Sequence, residues 1–182
     1  SVYQPNTGGW RAQGIAFTSA TGTTGVLVAN NFISDVKTVR YVNPSTFAGF
    51  GMYFLGGTNL KIYHNTIHQF GPVTTATNPG FSANVFINAT AVTGMDFRNN
   101  ILSNTQDFGA GAGVYNIFVN VTGFSFGTID NNDYYGESTA NTTYRVGYDG
   151  TTQRATLNDW RQSTSQDVNS FAMQPPFVSP TN

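Results

Sequence analysis

The residues best suited to chemistry in this 182-residue sequence are nine carboxylates: Asp35, Asp96, Asp107, Asp130, Asp133, Glu137, Asp149, Asp159 and Asp167. Acid/base or metal-assisted catalysis wants such groups clustered, with a Lys or Arg close by. The best constellation joins Lys61, Tyr63, Asp96, Arg98 and Asp130, with Lys61 expected beside Asp96 and Arg98 diagonally beside Asp130 on one outward face. As chemistry this is a base and a calcium-binding carboxylate. As structure it is cross-strand charge pairing worth a few tenths of a kcal/mol per pair. The structural reading is favoured, because a calcium site needs several converging oxygens and the pattern supplies only Asp96 and Asp130. Asp130-Asn131-Asn132-Asp133 lacks the Gly and distal Glu of a twelve-residue calcium loop and reads as a corner. His64 and His68 stand four apart, which suits zinc on a helix, but the stretch reads as strand then corner. No cofactor is expected, calcium being the one left open.

What must position these groups is a repeat. Leu60-Lys61-Ile62-Tyr63-His64-Asn65-Thr66-Ile67 has counterparts at Val26–Ile33, Met95–Leu102 and, more weakly, Gly127–Tyr134. Asn31, Asn65, Asn100 and Asn132 recur at a nearly constant interval, the spacing of one unit stacked on itself. A second strand keeps almost the same period, since Ile15, Met52, Val85 and Ile117 follow one another in step with the Asn series. Period-2 alternation sends Val26/Val28, Leu60/Ile62 and Met95/Phe97 to a core face, and Leu27/Ala29, Lys61/Tyr63 and Asp96/Arg98 outward. The Asn marks a corner, since Asn tolerates the left-handed or bridge conformations that most side chains resist.

Equivalent strands stacked in the same direction make an all-β, right-handed parallel β-helix of about four turns, roughly 20 Å tall at about 4.8 Å per turn. The four Asn residues form a ladder, sharing amide hydrogen bonds along the axis as in-register stacks do. One domain is expected over residues 1–182, with repeats at 14–136 and a cap and tail at 137–182. These motifs resemble the repeats of right-handed parallel β-helix proteins, the class that includes pectate lyases, polygalacturonases and many bacterial surface proteins. The tail is similar to the ending of large secreted bacterial members: Asp130–Tyr135, then Leu157-Asn158-Asp159-Trp160, then Gln166-Asp167-Val168-Asn169-Ser170, then Pro175-Pro176-Phe177-Val178. Ser165 departs from the resemblance by standing where Gly is usual.

Read from its residues, the tail is a lid. Thr156 with Asp159 is a capping-box start for a short helix carrying Leu157 and Trp160 on one side. A solenoid needs such a cover because its last turn exposes core and strand edges. No comparable lid precedes Gly14, so the chain is expected to be the C-terminal piece of a longer solenoid, or to dock there on a partner; Ser1 reads as a processed start.

Charged residues make up 9% of the chain and the formal net charge is -1, which argues against a nucleic-acid or anionic-membrane partner. No apolar run is long enough to span a bilayer. Absent cysteines exclude disulfides and thiolate metal sites. One further outward feature is the column Tyr53, Phe86 and Phe118, which could stack on sugar rings or a protein partner, or lie under a loop such as Gly71–Gly80. The expected function is a non-catalytic segment of a secreted or cell-surface protein, serving adhesion, glycan contact or assembly, with polysaccharide or surface proteins as partners. The alternative is a polysaccharide lyase or glycoside hydrolase, which the resemblance implies.

Overall fold

The computed structural model describes residues 2–4, 11–19, 23–38, 47–73, 81–108 and 112–177. Its strands fall into coils. Strand β1 (Val2–Gln4) leads into a first coil of β2 (Ala12–Phe17), β3 (Leu27–Ala29), β4 (Phe32–Ser34) and β5 (Val36–Thr38). The second holds β6 (Phe47–Phe54), β7 (Gly57–Thr58), β8 (Lys61–Tyr63) and β9 (Thr66–Pro72). The third holds β10 (Phe81–Ile87), β11 (Val92–Thr93), β12 (Asp96–Arg98) and β13 (Ile101–Asp107). Then come β14 (Ala112–Val119), β15 (Thr128–Asp130), β16 (Asp133–Gly136), β17 (Thr142–Asp149), β18 (Gln153–Arg154) and helix α1 (Leu157–Thr164).

Like strands stack in parallel into three main sheets, ordered β2-β6-β10-β14-β17 with β18 antiparallel at its edge, β3-β8-β12-β15, and β4-β9-β13-β16. The result is a parallel β-solenoid of about three turns. Four copies of the corner motif bound three intervals, so counting copies alone overstates the number of turns. Val28, Ile62, Phe97 and Ile129 line up in register inside, as do Ile33, Ile67, Leu102 and Tyr134. All eight are buried in one core. Val26, expected in the core with Leu60 and Met95, is 37% exposed, since among the described residues no coil covers its end of the stack.

The Asn ladder runs the length of the stack, but with a division of labour the spacing did not reveal. The positive φ belongs to the residue before each ladder Asn: Asn30 at 59°, His64 at 53°, Asn99 at 57° and Asn131 at 58°. The ladder Asn itself works through its amide. Asn31 Nδ2 donates to Asn65 Oδ1 at 2.9 Å, Asn65 Nδ2 to Asn100 Oδ1 at 3.0 Å, and Asn100 Nδ2 to Asn132 Oδ1 at 3.1 Å. Each Nδ2 also donates to a backbone carbonyl two residues back or on the preceding coil, so no ladder Nδ2 is left idle.

A second bend divides the largest sheet. Strands pair on both sides of Gly51, Asn84 and Asn116 but not at them, and the next residues Met52, Val85 and Ile117 also point inward. Two successive inward residues turn the strand. Asn84 Nδ2 ties this bend to the neighbouring sheet by donating to Ile67 O at 2.8 Å and Ser103 O at 3.0 Å. Asn116, with its amide oriented to satisfy both atoms, donates to Tyr135 O and accepts from Tyr135 N and the Tyr144 hydroxyl. At Gly51 the wall is too tight for a side chain, since a Cβ there would stand 2.3 Å from Ile67 Cγ2.

The far end is closed as the capping-box pattern requires. Thr156 is the N-cap of α1, Asp159 completes the box, and Leu157 and Trp160 are buried. The chain then lays an extra rung over the last coil. Ser170 Oγ accepts from Asn132 N at 2.8 Å, replacing the next ladder Asn, and Phe171 N donates to Asn132 O at 2.9 Å. Asp167 fastens the lid, accepting from the Tyr134 hydroxyl at 2.6 Å, from Trp160 Nε1 at 2.9 Å and from Ser170 Oγ. Val178 lies outside the described residues.

Candidate functional site

The charged constellation assembles on the outer face of β8, β12 and β15, with partners other than those expected. Lys61 aligns with Asp96, and Tyr63 with Arg98 and Asp130. Asp96, however, pairs within its own strand: Arg98 Nε reaches Oδ1 and Nη2 reaches Oδ2, both at 2.6 Å. Tyr63 donates its hydroxyl to Asp96 Oδ2 at 2.5 Å, and the Arg98 guanidinium lies 5.3 Å from the Tyr63 ring centre. A bidentate fork two residues away on the same face outcompetes a flexible lysine on the next coil. Partial burial alone would raise the Asp96 pKa, but the bonds from Arg98 and Tyr63 hold it below the ordinary carboxylate value.

Arg98 sits directly opposite Asp130 rather than diagonally. Asp130 is bound instead by the lid, accepting from Asn169 N at 2.8 Å and Nδ2 at 2.7 Å. Asp133 accepts from Met173 N at 3.0 Å, so the oxygen-rich corner serves to fasten the tail. His64 stands at its corner with positive φ, while His68 lies on the outer face of β9.

The aromatic column exists, but it is not a surface. Tyr53 and Phe86 are fully buried and Phe118 is half-buried, in a second apolar cluster with Phe50, Phe81, Ala83 and Tyr115 outside the bend. Phe50 stacks on Phe86 at 4.5 Å between ring centres, Phe81 on Phe118 at 4.4 Å, and Phe118 on Tyr148 at 4.6 Å. Arg11 covers Tyr53, its guanidinium 4.8 Å from the ring centre and donating to the hydroxyl at 2.6 Å. The bend draws rings from neighbouring positions together, and they stack on one another. The loop expected to cover them falls at residues 74–80, outside the described residues.

An open concave surface lies elsewhere, on the outer face of β4-β9-β13-β16. Alternation puts Ser34, His68, Ser103 and Tyr135 in one outward column. Past the lid, the chain returns along this sheet, and Gln174, Pro175 and Phe177 wall off a groove of about 690 Å³. Phe32, His68, Phe70 and Phe177 supply its rings. Phe177 packs edge-on to Phe32 at 6.4 Å and against His68 at 4.4 Å, and His68 stacks on Phe70 at 4.8 Å. Phe32 is 64% exposed and Phe70 40%, which leaves ring surface facing solvent. Ser34, Thr105, Tyr135 and Glu137 supply the polar wall.

Two details decide the chemistry available. Burial depresses the His68 pKa, partly opposed by Asp35, so the imidazole is neutral at pH 7 and packs as a ring. Its Nδ1 is 3.1 Å from Ser103 Oγ. Asp35, His68 and Ser103 are the residue types of a hydrolase triad, but Ser103 is 1% exposed and Asp35 is paired with Lys37 at 2.5 Å. A nucleophile beneath the imidazole meets no substrate. The second detail is Glu137, which accepts a hydrogen bond from the Tyr135 hydroxyl. Desolvation first, then that carboxylate, pushes the tyrosine pKa up to about 12, so the phenol remains a donor at any physiological pH.

The corner motif alone does not announce this groove. The available signal is the outward column one residue past the last apolar position of each motif, at Ser34, His68, Ser103 and Tyr135. Phe177 carries no signal in the sequence, because its place is set by the course of the tail.

Parallel coils, an amide ladder and a helical lid define a parallel β-solenoid bearing an aromatic groove on one sheet. The chain matches no family model, no curated protein and no solved structure.

Proposed function

We propose that this solenoid is a non-catalytic glycan-contact module of a secreted or cell-surface protein, of the right-handed parallel β-helix repeat type. The carrying observation is the groove: solvent-facing Phe32 and Phe70 flank the His68–Phe177 pair, with Tyr135, Glu137 and Gln174 at hand to bind hydroxyls. Pyranose rings present an apolar C–H face and polar edges, which such a mixture of aromatic faces and fixed polar groups suits. The neutral His68 adds ring surface rather than charge.

The polysaccharide-cleaving alternative fares worse. Acid/base cleavage of a glycoside uses two carboxyl groups facing the scissile bond. Among the described residues lining the groove there is one, Glu137. Asp96, Asp130 and Asp149 are committed to Arg98, Asn169 and Arg154.

The test is a glycan-array screen of the purified protein, followed by calorimetric titration of the best hit. Phe70→Ala and Phe177→Ala are each expected to weaken binding by about two- to ten-fold, at ~0.5–1.5 kcal/mol per aromatic contact, without changing the thermal midpoint. Absence of any glycan hit, or unaltered affinity in both variants, would overturn the reading. Release of reducing or unsaturated ends from a bound polysaccharide would overturn its non-catalytic part.

A further inference from the structure

The two ends of the solenoid are chemically different. At the lid end the ladder terminates on Ser170, and the extra rung at Asn169–Phe171 satisfies the last strands. At the other end β2, β3 and β4 are the edges of their sheets. Leu27 and Phe32 on those edges are 60% and 64% exposed. In every internal step of the ladder, an Asn Oδ1 accepts from both the N–H and the Nδ2 of the Asn on the preceding coil. Asn31 Oδ1 has no such donor among the described residues. Lys61 N donates to Val26 O and Thr66 N to Asn31 O, so the N–H groups of their register partners, Leu27 and Phe32, face the open side.

Strand β1 shows what belongs there. It pairs in parallel with β5, Val2 opposite Val36, with the same offset along the chain that separates Asn31 from Asn65. Strand β1 therefore occupies the last side of a preceding coil, and the partners of β3 and β4 in that coil would run directly into it.

We propose that the open end is a stacking surface for one parallel coil, formed by the roughly ten residues that lead into Ser1 in a longer polypeptide and carrying apolar-x-apolar-x-x-Asn-x-apolar, with its Asn stacked on Asn31. A second copy of this chain fits worse. Head-to-head pairing brings two Asn31 Oδ1 acceptors together without a donor, and head-to-tail pairing requires the lid to leave. The edge shares Phe32 and Ser34 with the groove, but the outward N–H groups and the Asn31 amide oxygen owe nothing to what the groove binds.

The test appends a copy of Leu60–His68 directly before Ser1, which sets the copied His68 beneath Ser34 in the register of β4 and β9. Amide hydrogen exchange is then followed in the appended and unmodified proteins, with sedimentation to report oligomeric state. The appended coil is expected to slow the amides of Leu27, Ala29, Phe32 and Ser34 about ten-fold or more. The same extension with Ala in place of its Asn should lose most of that protection. Unchanged exchange on adding the coil would overturn the proposal. So would amides of Leu27 and Phe32 already as protected as those of Lys61 and Thr66 in the unmodified protein, whether as monomer or as dimer.

Discussion

Asn65→Ala and Asn31→Ala remove the same side chain from the same motif, yet should differ severalfold in cost. Asn65 is 1% exposed, and its Nδ2 donates to Val28 O, Tyr63 O and Asn100 Oδ1, each at 3.0 Å. Its Oδ1 accepts from Asn31 N at 3.2 Å and Asn31 Nδ2 at 2.9 Å. Truncation therefore strips partners from two backbone carbonyls, one amide oxygen and two donors inside the stack. Some keep another bond, as Asn100 Oδ1 does from Asn65 N, so fewer than all are orphaned. With net losses of about 1 kcal/mol per hydrogen bond and about 1–3 for a buried group left unsatisfied, the cost is about 3–5 kcal/mol. That is a large share of the ~5–15 kcal/mol that holds a typical domain folded. Asn31 sits half-buried on the edge coil, where water can replace it, and its loss should cost about 1–2 kcal/mol. Urea unfolding of both variants with unchanged m-values measures the difference. Equal losses would refute the view that stacked amides, rather than corner geometry, make these Asn residues necessary.

Two further outcomes follow from the lid. Ser165 closes α1 in the left-handed region at φ 57°, so Ser165→Gly should raise stability by about 0.5–1 kcal/mol, read as a higher urea midpoint; an unchanged or lower midpoint counts against strain there. Asp149 feels burial that would raise its pKa, but bonds from Ser163, Thr152, Thr151 and Arg154 depress it far below the ordinary 3.8. A depressed carboxylate pKa contributes stability above the unfolded value that is lost as pH falls through the folded one. Asp149→Asn should therefore be the less stable protein at pH 7, with the gap to wild type closing below about pH 4; a constant gap across that range would remove the electrostatic explanation.

The repeat was legible because each part of it is short-range. Val28, Ile62 and Phe97 alternate with outward residues, and a side chain two positions along a strand returns to the same face whatever the rest of the chain does. The Asn ladder followed from the common period, and the lid helix from Thr156 and Asp159, which need only each other. The charged cluster was half legible. Its five members share a face, but whether Asp96 turned to Lys61 or to Arg98 was a contest of reach and fork geometry that a register cannot decide.

The column of Tyr53, Phe86 and Phe118 marks the limit of such legibility. Alternation correctly turned these rings away from the interior, and a bend between adjacent residues then packed them against Phe50, Phe81 and Tyr115. By itself the sequence determined the coil, its inward columns, its amide ladder and its lid, all consequences of a side-chain period of two and a nearly constant coil period. Tertiary structure alone decided which outward faces stay open. Phe177 comes to lie 4.4 Å from His68 although the two stand more than a full coil apart in the chain, and exposure of that kind depends on which remote segments return over a surface.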